Sequence, residues 1–163
     1  MKPRLLVSML VGLLSSAETT TPHESVGKSV QVYGFFAPGF RPSDGTGTYS
    51  FGGGADWLVG EKLSVGADGH FFGWWECSSC GALILTGNVG YLQRRQKAED
   101  RWEPFARVGI GLAAVEEGGI GIAAFGGGAN YWIRERLGLR FEGRYDYVFE
   151  EEGYIHFRMG IVF

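Results

Sequence analysis

Residues 51–71 read FGGGADWLVGEKLSVGADGHF, and residues 125–145 read FGGGANYWIRERLGLRFEGRY. The two stretches align without a gap. Asp56 meets Asn130, Trp57 meets Tyr131, Glu61-Lys62-Leu63 meets Glu135-Arg136-Leu137, Asp68 meets Glu142 and Gly69 meets Gly143. Each copy is an alternating run, a short charged turn and a second alternating run, which is the pattern of a β-hairpin. A hairpin repeated half a chain apart predicts an all-β structure that closes on itself.

Composition agrees. Gly makes up 28 of 163 residues, well above the ordinary share of about 7%. Aromatic residues make up 15%, which excludes a disordered composition, and the glycines lack the three-residue period of collagen. Gly with aromatics inside alternating segments fits a β-barrel. The N-terminus reads as a targeting segment: Lys2 and Arg4, an apolar run from Leu5 to Leu14, then Ser15-Ser16-Ala17. The run is too short for a membrane-spanning helix, and the order basic, apolar, small predicts a signal peptide over 1–17 cleaved after Ala17. A short tail over 18–28 precedes the barrel, 29–163. Loss of Lys2 and Arg4 takes the formal charge from −3 to −5, which argues against a nucleic-acid partner.

Eight alternating runs follow: Val30–Phe36, Tyr49–Val59, Leu63–Trp74, Ala82–Gln93, Trp102–Val115, Ile120–Ile133, Leu137–Phe149 and Tyr154–Phe163. Pro38 to Gly45 and Glu76 to Cys80 read as loops. Eight strands in order predict an up-and-down antiparallel transmembrane barrel, with both termini and the turns near Gly60, Gln96 and Glu135 at one end.

Side-chain parity decides which solvent surrounds it, because successive residues of a strand point to opposite faces. One face of the seventh run is Leu137, Leu139, Phe141, Gly143, Tyr145 and Tyr147; the other is Gly138, Arg140, Glu142, Arg144 and Asp146. The same division puts Asp56, Asp68, His70, Glu103, Arg107, His156 and Arg158 on the polar face. That face is also rich in Gly, including Gly52, Gly54, Gly109, Gly111, Gly121, Gly126 and Gly128. Glycine suits a crowded lumen that must admit long charged side chains, and enclosed charges must balance. The polar face is therefore expected inside and the apolar face in lipid. Two aromatic belts are expected at the interfaces: Trp57, Tyr91, Trp102, Tyr131 and Phe163 near the end holding the termini, and Phe36, Tyr49, Phe71, Trp74, Trp75, Tyr147 and Phe149 near the other.

Over 29–163 the chain resembles the eight-stranded outer-membrane β-barrels (OmpA/OmpX-like transmembrane domains). The resemblance rests on the Phe-Gly-Gly-Gly hairpins, on Glu103–Gly111, on Arg136–Arg140 and on the final Gly160-Ile161-Val162-Phe163. It implies a bacterial outer-membrane location after export through the periplasm. It also implies that the C-terminal strand, ending on Phe163, is read by the barrel-assembly machinery. The chain differs from well-known members in its short loops and in lacking an appended peptidoglycan-binding domain.

No catalytic constellation, cofactor site or metal site stands out. Cys77-Ser78-Ser79-Cys80 reads as a local disulfide, since zinc would need two further ligands from elsewhere. Gly109–Ala114 and Gly119–Ala124 match GxGxxA, but both lie in strand runs with no following helix, and their glycines are expected on the lumen face. His70 and His156 are expected in the lumen network with Asp56, Asp68, Glu103, Arg107, Arg140, Glu142, Arg144, Asp146 and Arg158. Glu116-Glu117 and Glu150-Glu151-Glu152 read as solvated loop charge. The expected function is a monomeric integral outer-membrane barrel, with a structural or surface-interaction role and without general pore or enzyme activity. A lipid-modifying barrel enzyme is the alternative, followed by a soluble lipocalin-like carrier.

Overall fold

The computed structural model describes residues 30–95, 100–115, 118–149 and 152–163. The expected signal segment, the tail, and the acidic pairs at 116–117 and 150–151 lie outside the described residues. The strands are β1 (Val30–Phe40), β2 (Gly47–Val59), β3 (Leu63–Trp74), β4 (Cys77–Leu92), β5 (Trp102–Val115), β6 (Gly118–Arg134), β7 (Leu137–Val148) and β8 (Tyr154–Val162). Each pairs antiparallel with its sequence neighbour, and β1 pairs with β8 to close the barrel. Closure leaves no sheet edge.

Two segments with the composition of loops are strand. β1 runs on through Pro38, which pairs with Tyr49, so the β1–β2 loop contracts to residues 41–46. The cost falls on the other edge of β1. Pairing with β8 is broken between Phe36↔Met159 and Gly39↔His156, where Pro38 has no N–H to donate. β4 begins at Cys77, which pairs with Trp74 across a register shift at Gly73/Trp74. Cys77 and Cys80 form a disulfide, Cα to Cα 5.3 Å, that pins the first turn of the strand instead of a free loop. At the other end of the chain, Phe163 and Val32 exchange backbone hydrogen bonds of 2.8 and 3.3 Å, so the last residue completes the seam.

Strand parity sorts the side chains as alternation requires. Apart from Arg134 at the end of β6, every charged residue within the strands points inward and is buried. The outer wall is apolar and exposed: Ile110 is 74% exposed, Leu112 61% and Leu85 58%. Two assignments are corrected. Gly121 pairs with outward-facing Leu112 and lies on the outer wall, where a Cβ would meet the Phe149 ring; Gly119, paired with Ala114, shares that face. Trp74 does not join the outer aromatic belt. It packs inside the barrel, edge-on to Phe72 at 4.8 Å between ring centroids.

Candidate functional site in the barrel interior

We call the end holding the termini proximal and the other distal. The interior is built in layers, each strand contributing every second residue. At the proximal end Arg95, from the β4–β5 connection, lies over the Trp132 ring at 4.9 Å, and the one charge the strands bring to this layer is Glu103. Its Oε1 accepts from Gln31 Nε2 at 2.7 Å and from Asn130 Nδ2 at 3.1 Å. Beside it Tyr33, Phe35, Ala37, Trp132 and Val162 form an apolar patch.

The middle layer is ionic. Arg107 meets Glu142 through two parallel bonds of 2.8 and 2.6 Å and donates to the Tyr33 hydroxyl at 2.6 Å. Paired donors on a planar guanidinium are the strongest form of this contact. Arg140 lies 3.3 Å from Asp56, and its guanidinium sits over the rings of Tyr33 and Phe105 at 4.1 and 4.0 Å. A cation over an aromatic face is attracted by the ring quadrupole.

Asp68 is the hub of the next layer. Arg144 approaches it at 3.0 Å, Arg158 at 3.4 Å, Arg107 at 3.5 Å and His70 Nδ1 at 3.3 Å. Asn88 Nδ2 donates to it at 2.8 Å. Arg158 is braced over the Phe35 ring at 4.0 Å. Arg144 then reaches the last ionic residue, Asp146, at 2.6 Å, and His156 Nδ1 lies 3.2 Å from the other Asp146 oxygen. The chain of contacts crosses the lumen from wall to wall. Beside Asp56, Arg107 and Arg140 a void of about 10 Å³ remains, room for about one water.

All the charged residues and both histidines named from the sequence are thus inside the barrel, in contact with one another or with neutral partners. Gln31, Tyr33, Thr86, Asn88 and Asn130 also belong to the network, and the sequence reading missed them. Their signal was parity alone: Gln31, Thr86 and Asn130 sit in register with Asp56, Asp68 and Glu103, while Tyr33 and Asn88 sit opposite the inward glycines Gly54 and Gly66. Thr48 and Ser50 are likewise buried inside. Among the described residues no cluster of His, Cys, Asp and Glu is placed to hold a metal ion.

Two glycines explain how the walls admit these side chains. A Cβ at Gly54 would stand 2.6 Å from the Tyr33 hydroxyl, and one at Gly126 would stand 2.6 Å from Glu142 Oε1. Gly126→Ala is expected to push Glu142 off Arg107 and cost about 1–3 kcal/mol, as overpacking does. Gly143→Ala, on the outer wall with open space around it, is the near-neutral control. Urea unfolding of the two variants in the same detergent measures the difference.

At the distal rim, Asp44 accepts hydrogen bonds from Arg41 Nε at 3.0 Å and from Thr46 N–H at 2.9 Å. These contacts, Arg41 first, hold its carboxyl well below the usual carboxylate range. The brace is complete above the unfolded carboxylate pKa of about 4 and is lost as pH falls through the lowered value. Ser43 donates to Glu152, joining the β1–β2 loop to the β7–β8 connection.

No family model matches the chain, and no curated protein matches it in sequence. Solved structures do match in fold. The N-terminal β-barrel domain of Pseudomonas aeruginosa OprF superposes with a TM-score of 0.63 at 12% identity, over 82% of this chain and 95% of that one. Neisserial surface protein A gives 0.58 at 14% identity, over 82% and 94%. The outer membrane enzyme PagL gives 0.54 at 16% identity, over 80% and 97%. The chain has the closed eight-stranded antiparallel barrel fold of these outer-membrane proteins.

Proposed function

We propose that this chain is an integral outer-membrane barrel whose plugged lumen serves stability, and whose role is structural or at the cell surface. One observation carries the reading: a connected ion-pair network fills the lumen while the outer wall is apolar on every strand. A soluble carrier needs the reverse, with apolar residues inside and charge outside. A wall of exposed Ile, Leu, Val and Phe in water would be an aggregation surface; in hydrocarbon it is the solvated face. The proximal end then faces the periplasm, and the barrel-assembly machinery reads the C-terminal strand through Phe163. The barrel acts as a monomer, since closure satisfies every strand without a partner.

The reading is non-enzymatic. His70 and His156 are enclosed with Asp68 and Asp146, away from the lipid-facing rim where a lipid-modifying site would have to present them. A surface role draws support from the shared fold with Neisserial surface protein A. The distal connections carry Asp44, Glu76, Glu116, Glu117, Glu150, Glu151 and Glu152 against Arg41 alone, so a basic surface partner suits them better than a polyanion.

Planar-bilayer recording tests the plug. The refolded protein is expected to insert without the stable conductance steps of a water-filled pore, because eight-stranded barrels leave room only for side chains. Uniform ohmic steps from the wild-type chain would overturn the non-pore reading.

A further inference from the structure

Beyond the Arg144–Asp146 pair the ion pairs stop, and apart from the Thr48 and Ser50 hydroxyls on β2 the distal interior becomes apolar. Phe72, Ile84, Ala113, Ile122, Val148 and Tyr154 are buried there as one cluster. They line a cavity of about 120 Å³. Its lining includes Trp74, Val115 and Val148, the last residues of β3, β5 and β7, and Tyr154, the first of β8. The cavity therefore sits at the distal mouth. Asp146 and His156 also line it, and below them Arg144 and Asp68 block the way through. It is a blind cup, with an apolar wall and one polar patch at its inner end.

That patch is incomplete. His156 is fully buried, and its Nε2 has no hydrogen-bond partner among the described residues. Its Nδ1 is 3.2 Å from Asp146 Oδ2 but out of line for a hydrogen bond. A buried imidazole nitrogen without a partner beside an apolar cavity is a place for a ligand to complete.

We propose that the cup binds a small neutral amphiphile from the distal side: an apolar body of about one benzene ring bearing a single hydroxyl, as in a phenol. Size sets the body, since an apolar cavity of about 150 Å³ takes up benzene and a long acyl chain would not fit. Charge sets the head. Asp146 is already paired with Arg144 at 2.6 Å, so an ionised head would enter without a counter-ion of its own. A hydroxyl can donate to or accept from an imidazole nitrogen, whichever tautomer is present. Nothing in this assignment depends on a surface partner or on the absence of catalysis.

The test uses the full barrel in lipid nanodiscs, with 4-fluorophenol and fluorobenzene followed by fluorine NMR. Saturable binding of 4-fluorophenol is expected. Ala113→Phe, which fills the cup from β5, should abolish saturable binding of both probes. His156→Phe keeps the ring volume and removes the polar nitrogen. It should weaken 4-fluorophenol about three- to tenfold, the worth of one neutral hydrogen bond, and leave fluorobenzene unchanged. Gel mobility with and without boiling verifies that each variant is folded; if Ala113→Phe is not, Ile84→Phe replaces it. Non-saturating uptake equal in wild type and the filled variant would mean partition into lipid and overturn the site. Equal loss of both probes in His156→Phe, or loss of neither, would overturn the role given to the imidazole.

Discussion

Asp68→Asn is expected to lower the unfolding free energy of the barrel by about 3–5 kcal/mol, the cost of removing one partner from a buried ionic cluster. The substitution keeps the side-chain volume and still offers Asn88 an oxygen to donate to, so it isolates the charge. What it leaves behind is the reason for the size of the effect. Arg107, Arg144 and Arg158 converge on Asp68 from three different strands, at 3.5, 3.0 and 3.4 Å. Arg107 and Arg144 keep Glu142 and Asp146, at 2.6 Å each. Arg158 has Asp68 as its one ion-pair partner among the described contacts and otherwise touches the Phe35 ring and His70. In the variant it is a buried, unpaired cation. Adding Arg158→Met should therefore restore part of the loss, with a coupling of about 1–3 kcal/mol between the two sites. Urea titration followed by tryptophan fluorescence, on wild type, both single variants and the double, measures the cycle. Additive losses would show that the cluster does not act as a unit.

That hub illustrates what a sequence of this kind discloses. Period-two alternation placed Asp68, Arg144 and Arg158 on one face, because each has apolar neighbours on both sides along its strand. It did not disclose that they meet. Asp68 and Arg144 lie 76 residues apart in sequence and touch only because the sheet curls closed and brings β3 opposite β7. Parity failed where both faces are apolar. Residues 120–125 read Ile-Gly-Ile-Ala-Ala-Phe, so nothing in the run says which side is which, and Gly121 was given the wrong one. The distal cup was hidden for the same reason: its lining is as apolar as the outer wall. Strand ends failed where residue type and pairing disagree. Pro38 and Cys77 look like loop residues, yet pairing with Tyr49 and Trp74 overrides local preference, as tertiary contacts do in sheets.

The second large effect tests the solvent around the barrel. Val108→Arg is expected to cost about 2–4 kcal/mol when the protein is folded into a bilayer, the penalty for Arg on the lipid face near the midplane. Val108 is 54% exposed, lies midway along β5, and is flanked by the outward residues Val89 on β4 and Phe125 on β6. An Arg there has no carboxylate within the outer wall to pair with, since the acidic side chains of the strands all point inward. Its long side chain must either reach for the interface or draw water into the hydrocarbon. Val59→Arg supplies the comparison. It too faces outward, 55% exposed and paired with outward Leu63, but it is the last residue of β2, and near the interface the same change should cost about 0–1 kcal/mol. The difference between the two positions carries the inference, because intrinsic strand propensity and loss of a valine are common to both. A barrel surrounded by water would show no such gradient, and exposed substitutions would stay within about 0.5 kcal/mol at either site. Urea titrations of both variants, folded into vesicles of defined thickness, decide between the two environments: equal costs at the two sites would remove the membrane reading, and a steep difference would locate the midpoint of β5 in the bilayer.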